Sequence, residues 1–282
     1  MKKLKYILII MLSVCLLTGC KKDKMDDIKI ITTTYPITHI IESIYKDNST
    51  ITSIYPNGIS INEYEITDKQ INEYAKADLF IYNGLDSNEK KIATRLLNKN
   101  KRIKLIDATQ GLTIKSTYEE LWLSPSNYLM IAQNIKEHLS DFITSTMLKE
   151  TVNKKYENIK LTISKFDAQF KIIAENAKTK DVIVNNSSLI FLERYGFNVI
   201  SIDPSENNYK TNLQKAKSNL STKTNNHVFA VDGKLFDENK SIGEVYNVRG
   251  MTILSLDDVK NKNSYESMMG EFIENLRTEA YT

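Results

Sequence analysis

Oxygen-bearing side chains recur in this 282-residue chain just after the runs that read as β-strands. Thr34 and Tyr35, the stretch Asn57 to Glu65, Asn185 and Asn186, Asp203, Asp232, and Asp257 with Asp258 all stand at such places. In α/β sheets those places border the crevice where ligands bind, outside the carboxyl ends of the strands. The set offers carboxylate, amide and hydroxyl oxygens and holds neither Cys nor His. Taken singly, each Asx residue in it is more simply a helix cap or a turn former. Their shared position is what makes them candidates.

The three histidines point elsewhere. His39 lies in a helical stretch among isoleucines and reads as partly buried and structurally bonded. His138 falls on the polar face of a helix, and His227 begins a strand at the end away from the crevice. No His-x-x-x-His or Cys-x-x-Cys spacing offers a zinc site. Nucleophile elbows and Gly-rich phosphate or dinucleotide loops are missing too. Glu119-Glu120 and Asp257-Asp258 are adjacent pairs, which diverge in regular structure. The chain reads as a binding protein and not as an enzyme.

Alternating strand and helix patterns must position these residues. Ile28 to Tyr35 is a β-branched run stopped by Pro36, after which Ile37, Ile40, Ile41 and Ile44 have helical spacing. Strands follow at 49–55, 78–82 and 102–107, with helices at 69–77 and 88–98. Ser124-Pro125 opens a helix. From Pro125 to Lys178 there is neither Gly nor a further Pro, and Met147 to Ile173 carries apolar residues every three to five positions. This predicts two consecutive helices breaking near Thr144 to Thr146. The spacing lacks the sustained heptad of a coiled coil. Strands at 181–184, 197–202, 227–231 and 251–256 then alternate with helices at 189–195, 209–220, within 235–246 and at 264–276. The expected fold class is α/β, with two βα lobes of parallel sheet joined by a long backbone helix.

The N-terminus carries its own signal. Lys2, Lys3 and Lys5 precede the apolar run Tyr6 to Leu17, shorter than the roughly 20 residues a spanning helix needs. Leu17-Thr18-Gly19-Cys20 resembles a lipoprotein signal box, with cleavage before Cys20 and acylation of its thiol. Cys15 leaves with the signal, so no disulfide is expected. The signal's three lysines account for the whole formal charge of +3. The mature chain therefore has no basic excess to attract nucleic acid.

Several stretches together resemble the metal-binding lipoproteins that feed ABC transporters, the cluster A-I zinc and manganese family. These are Thr32-Thr33-Thr34-Tyr35-Pro36, Asn62-Glu63-Tyr64-Glu65-Ile66-Thr67, Ala77 to Leu85, Leu121-Trp122-Leu123-Ser124-Pro125, Leu192 to Gly196, Asp203-Pro204-Ser205 and Leu256-Asp257-Asp258. The resemblance spans nearly the whole mature chain. It implies four metal-ligand positions, which fall on Asn62, Glu120, Asn185 and Asp257. Glu120 is placed by counting back from Trp122 and Asn185 by counting back from Tyr195-Gly196; the neighbours Glu119 and Asn186 are of the same kind. The family has His at the first two positions, His or Glu at the third and Asp or Glu at the fourth. Three of the four are substituted here, and every nitrogen donor has become an oxygen. Zinc favours imidazole and thiolate, whereas an all-oxygen set suits Mn²⁺, Ca²⁺ or Mg²⁺.

The resemblance implies an extracytoplasmic solute-binding lipoprotein. It would take a divalent metal ion (Mn, Zn or Ca) into the inter-lobe cleft and deliver it to an ABC permease and its ATPase. The implied organisation is a signal peptide over 1–19, a tether over 20–27, an N-terminal lobe over 28–143, a linking helix over 144–179 and a C-terminal lobe over 180–282. The protein is expected to be a monomer held to the outer face of a bacterial cell membrane through lipid on Cys20. The alternative expectation is a family member that has lost metal binding and serves another small solute or acts as a surface adhesin or accessory lipoprotein.

Overall fold

Among the described residues, eight short strands form two four-stranded sheets. In the N-terminal sheet β1 (Ile28–Thr32), β2 (Ser49–Ser53), β3 (Leu79–Tyr82) and β4 (Lys104–Asp107) take the order β2-β1-β3-β4. In the second sheet β5 (Asp181–Val184), β6 (Asn198–Ser201), β7 (Val228–Val231) and β8 (Val248–Met251) repeat that order as β6-β5-β7-β8. Every pairing is parallel, from Ile28 opposite Ser49 to Val231 opposite Met251. The computed structural model describes residues 23–56, 64–113, 121–231, 235–251 and 264–282. The signal segment and Cys20 lie outside them. Among the described residues no helix is long and apolar enough to cross a membrane.

The helices are α1 (Tyr35–Tyr45), α2 (Asp68–Tyr74), α3 (Ser87–Lys99), α4 (Pro125–Phe142), α5 (Thr146–Asn176), α6 (Tyr209–Ser221), α7 (Lys240–Val245) and α8 (Tyr265–Tyr281). Helix α5 is 31 residues long and runs between the sheets, burying Leu148, Val152, Tyr156, Ile163, Phe166, Phe170 and Ile173. Phe170 meets the rings of Phe191, Tyr195 and Phe272 at centroid distances of 5.8, 5.0 and 6.0 Å. One apolar cluster runs from Ile30 and Ile40 through α4 and α5 to Phe229 and Leu276, so both sheets share a core. Two satellite clusters cover the other face of each sheet.

The architecture is the expected one, with four local differences. Strand β1 ends at Thr32 and the helix begins at Tyr35, because Pro36 occupies the first turn, where its missing N–H costs nothing. The helix expected over 189–195 is a 3₁₀ run, Ser187–Tyr195, closed by Gly196 with φ 97°. Strand β8 is Val248–Met251, earlier than the expected 251–256, and it carries Arg249 and Gly250 against the usual strand preference. Residues 252–256 lie outside the described residues. Finally, the expected tether is part of the folded body from Asp23 onward. Met25 is 1% exposed and its carbonyl accepts from the Tyr45 hydroxyl at 2.5 Å. The Asp23 carboxylate accepts from the Thr144 and Ser145 N–H groups at 2.8 and 2.5 Å, in the break between α4 and α5.

Candidate functional site

Both sheets place their topological switch between the first and third strands of the lobe, β1/β3 and β5/β7, where the connections diverge. Asn185 stands at the carboxyl end of β5. Its N–H extends the ladder by donating to the Phe229 carbonyl at 2.8 Å, and its side chain is 3% exposed. Asn185 Oδ1 accepts from Asn239 Nδ2 at 2.9 Å. Asn239, itself fully buried, also donates to the Ile202 carbonyl at 2.7 Å and accepts from the Tyr209 hydroxyl at 3.0 Å. The amide of Asn185 is therefore oriented by the loops that follow β6 and β7.

The neighbouring Asn186 does something different. Its Oδ1 accepts from the Ser188 N–H at 2.8 Å and caps the 3₁₀ run. Asp203 gathers the next loop: its carboxylate accepts from Ser205 N and Oγ at 3.0 and 2.7 Å and from Ser187 N at 3.2 Å. Burial pushes its pKa up, but those hydrogen bonds outweigh burial and hold it below the ordinary carboxylate range. For Asn186 and Asp203 the capping and turn roles are the observed ones. Tyr35 is core, its ring 5.4 Å from that of His39 and 5.5 Å from that of Trp122. Asn62, Glu120 and Asp257 lie outside the described residues, as do Asp232 and Asp258. Of the four expected ligand positions, Asn185 is thus the one whose surroundings are described. The box that contains Asn62 is described from Tyr64 onward, where Thr67 and Gln70 form a reciprocal capping box at the start of α2.

The histidines behave as structural residues. His39 Nδ1 lies 2.6 Å from the Tyr128 hydroxyl, and its Nε2 lies 4.0 Å from a Glu266 carboxylate oxygen. Burial lowers its pKa, against the pull of Glu266 and Glu42. His138 pairs with Gln110 at 2.9 Å, and His227 with the buried Glu279 at 2.7 Å at the amino end of β7. Among the described residues no three His, Cys, Asp or Glu side chains group in a way that could hold a metal.

Glu89 escapes a reading of the sequence. It sits in the first turn of α3 behind the capping residue Asp86, whose Oδ1 accepts from Asn88 and Glu89 N–H at 2.7 and 2.8 Å. By position it looks like an ordinary first-turn acid. Instead it is 0% exposed beneath the carboxyl edge of the N-terminal sheet. There it accepts from the Asn83 N–H at 2.6 Å and from the Tyr55 hydroxyl at 3.3 Å. Burial pushes its carboxyl up to about 8, against the hydrogen bonds from Asn83 and Tyr55.

Between the lobes lies an open cavity of about 450 Å³. Leu121, Ser124 and Asn127 line it from the N-terminal side, and Ser187, Phe191 and Arg194 from the C-terminal side. The Arg194 guanidinium crosses between the lobes and donates to Ser126 Oγ.

A family model described as zinc-uptake complex component A, periplasmic, matches residues 30–279 of the chain. No curated protein sequence matches it. Among solved structures, the chain resembles the metal-dependent lipoprotein YcdH of Bacillus subtilis, with 18% identity, TM-score 0.70, and 91% of this chain against 100% of that one. It also resembles the Zn(II)-bound ZnuA-like domain of AdcA from Streptococcus pneumoniae, with 19% identity, TM-score 0.69, and coverage of 91% and 100%. The periplasmic zinc-binding protein TroA of Treponema pallidum aligns with 14% identity, TM-score 0.65, and coverage of 91% and 100%. At these identities the structural likeness speaks for the fold.

Proposed function

Because the chain belongs to the family of the periplasmic zinc-uptake complex component A, matched over residues 30–279, we propose that it captures a divalent metal ion between its lobes for import by an ABC transporter. The family match is the observation that carries this reading. The ion enters as cargo and not as a cofactor, and the role is binding and delivery without catalysis. The partners are the permease and its ATPase. The proposed boundaries are 1–19 for the signal, 28–143 for the first lobe, 144–179 for the linking helix and 180–282 for the second lobe. Lipid on Cys20 holds the protein at the extracytoplasmic face as a monomer. A helix as long as α5 between the lobes favours release by local loop movement over wide hinge bending.

We place the ion at Asn62, Glu120, Asn185 and Asp257. Two carboxylates neutralise a divalent charge, and two amides complete an oxygen set that favours Mn²⁺ or Ca²⁺ over Zn²⁺. The orientation of Asn185 by Asn239 supports its share, since ligands held by outer partners bind better. The test is elemental analysis of the protein as isolated, with thermal shifts against Mn²⁺, Ca²⁺ and Zn²⁺. A raised melting point that Asp257→Ala removes supports the reading. No response to any of the three ions overturns it.

A further inference from the structure

A seam of rings joins the lobes, and His39 stands in it. Tyr35 and His39 come from α1, Trp122 from the 3₁₀ turn Leu121–Leu123, Tyr128 from α4 and Tyr265 from α8. The centroids of Tyr35 and His39 lie 5.4 Å apart, those of Tyr35 and Trp122 5.5 Å, and those of Trp122 and Tyr265 5.8 Å. Tyr128 and Tyr265 stack face to face at 3.9 Å. Helix α8 packs in turn on the second sheet, where Phe272 meets Phe229 at 5.6 Å. The seam therefore ties the first lobe to the second. It also touches the cavity between them: the Tyr265 hydroxyl donates to the Trp122 carbonyl at 3.4 Å. Leu121 and Ser124, on either side of Trp122, line that cavity.

Within the seam the imidazole is the group that titrates nearest neutrality. Tyr128 is 1% exposed, and burial keeps its phenol protonated. A buried hydroxyl hydrogen needs an acceptor, and the partner at 2.6 Å is His39 Nδ1. Nδ1 is then the bare nitrogen, and Nε2 carries the ring hydrogen, 4.0 Å from a Glu266 oxygen. A proton taken from solvent at Nδ1 turns that acceptor into a donor. The Tyr128 hydrogen then has no other acceptor among the described residues, and a charge sits where the His39 side chain is 13% exposed. Glu266 on α8 and Glu42 on α1 pull the other way. Tyr35 faces the ring as a neutral phenol, and Tyr265, behind Tyr128, is kept neutral by burial. The Glu266 side chain is 44% exposed, so water screens its attraction. Burial prevails, and the His39 pKa lies below the ordinary 6.5.

We propose that His39 is a proton-operated latch between the lobes. With the imidazole neutral the seam is closed; one proton from solvent breaks the Tyr128 bond and loosens the cavity wall at Leu121 to Ser124. A folded pKa below the unfolded one gives stability that is present above pH 6.5 and is lost as pH falls through the folded value. Acid therefore opens the latch. It acts whatever the cargo is, and it does not rest on metal capture.

Trp122 is the single tryptophan of the chain and is 3% exposed, so its emission reports on the seam. Acrylamide quenching of that emission is measured on the purified protein, without added metal, from pH 8 to pH 4. Circular dichroism at each pH follows the helices. The latch expects quenching to rise as pH falls below 6.5 while the helical signal holds. His39→Gln keeps an oxygen to accept from Tyr128 and takes up no proton, so its quenching should stay flat over the same range. Glu266→Gln removes a carboxylate that favours the imidazolium, so the rise should move to lower pH. Residue 266 is exposed enough to tolerate the change, and this variant decides the matter if His39→Gln does not fold. Four results overturn the latch: flat quenching in the unmodified protein, a rise that comes only with loss of helix, the same rise in His39→Gln, or a rise that Glu266→Gln leaves in place. None of them bears on metal capture, whose own test is the thermal response to the ions.

Discussion

Glu89 sets the most direct test of the fold's electrostatics. Burial raises its carboxyl from the ordinary 4.5 to about 8, so the folded protein holds it neutral at pH 7 while the unfolded chain ionises it. A folded-state pKa above the unfolded one contributes stability that is complete below pH 4.5 and is lost as pH rises toward 8. The interval between those values corresponds to about 5 kcal/mol at 1.36 kcal/mol per pH unit. That is comparable with the whole stability of many domains, roughly 5–15 kcal/mol. Glu89→Gln keeps the shape and the acceptor for the Asn83 N–H, but it cannot ionise. Urea denaturation of both proteins at pH 5, 6.5 and 8.5 isolates the carboxyl, because every other titration is common to the pair. The shared core leads us to expect a single transition. At pH 5 the two should agree within about 1 kcal/mol. At pH 8.5 the Gln protein should be the more stable by several kcal/mol. Parallel pH profiles would falsify the account, showing that the bonds from Asn83 and Tyr55 fully offset burial.

The junction of α4 and α5 should depend on Asp23, whose carboxyl is held at about 2 because hydrogen bonds from Met25, Thr144 and Ser145 overcome the upward push of burial. Asp23→Ala should cost about 1–2 kcal/mol at pH 7 by urea denaturation. The folded pKa lies below the ordinary 3.8, so this contribution should fade as pH falls from near 4 toward 2, and a loss that persists at pH 2 would contradict it. Gly84 leaves no room for a side chain: an added Cβ would lie 1.9 Å from Asp107 Oδ2. Asp107 Oδ1 meanwhile accepts from the Gly84 and Thr109 N–H groups at 3.0 and 2.9 Å. Gly84→Ala should therefore destabilise by about 1–3 kcal/mol, and an unchanged melting point would refute the close approach. Phe170→Ala empties a fully buried site between α5 and the C-terminal sheet and should cost about 3–5 kcal/mol in denaturation. A cost under about 1 kcal/mol would show that Phe170 does not join the parts of the core.

Much of this protein is written locally. The β-branched run Ile28 to Thr32, the stretch without Gly or Pro from Ser126 to Lys178, and the break near Thr144 each follow from periodicity and backbone preference over a few residues. The parallel, doubled βα architecture follows from their alternation. The Asn, Glu and Asp at the strand ends, and the oxygen-for-nitrogen exchange at the implied ligand positions, are legible for the same reason. Tertiary structure decided which of these groups are held and by what. Nothing near Asn185 in sequence announces Asn239, 54 positions away. The first-turn place of Glu89 marks it for solvent, until the loops after β1, β2 and β3 close over it. Asp23 reads as part of a charged tether, yet it caps a helix junction 121 residues distant. Arg194 ends a 3₁₀ run by composition, and only the approach of α4 turns it into one wall of a cavity. Periodicity reports which face of an element is apolar. Which polar groups meet, lose their water and change their acidity depends on how distant elements pack, and that is fixed by the whole chain at once.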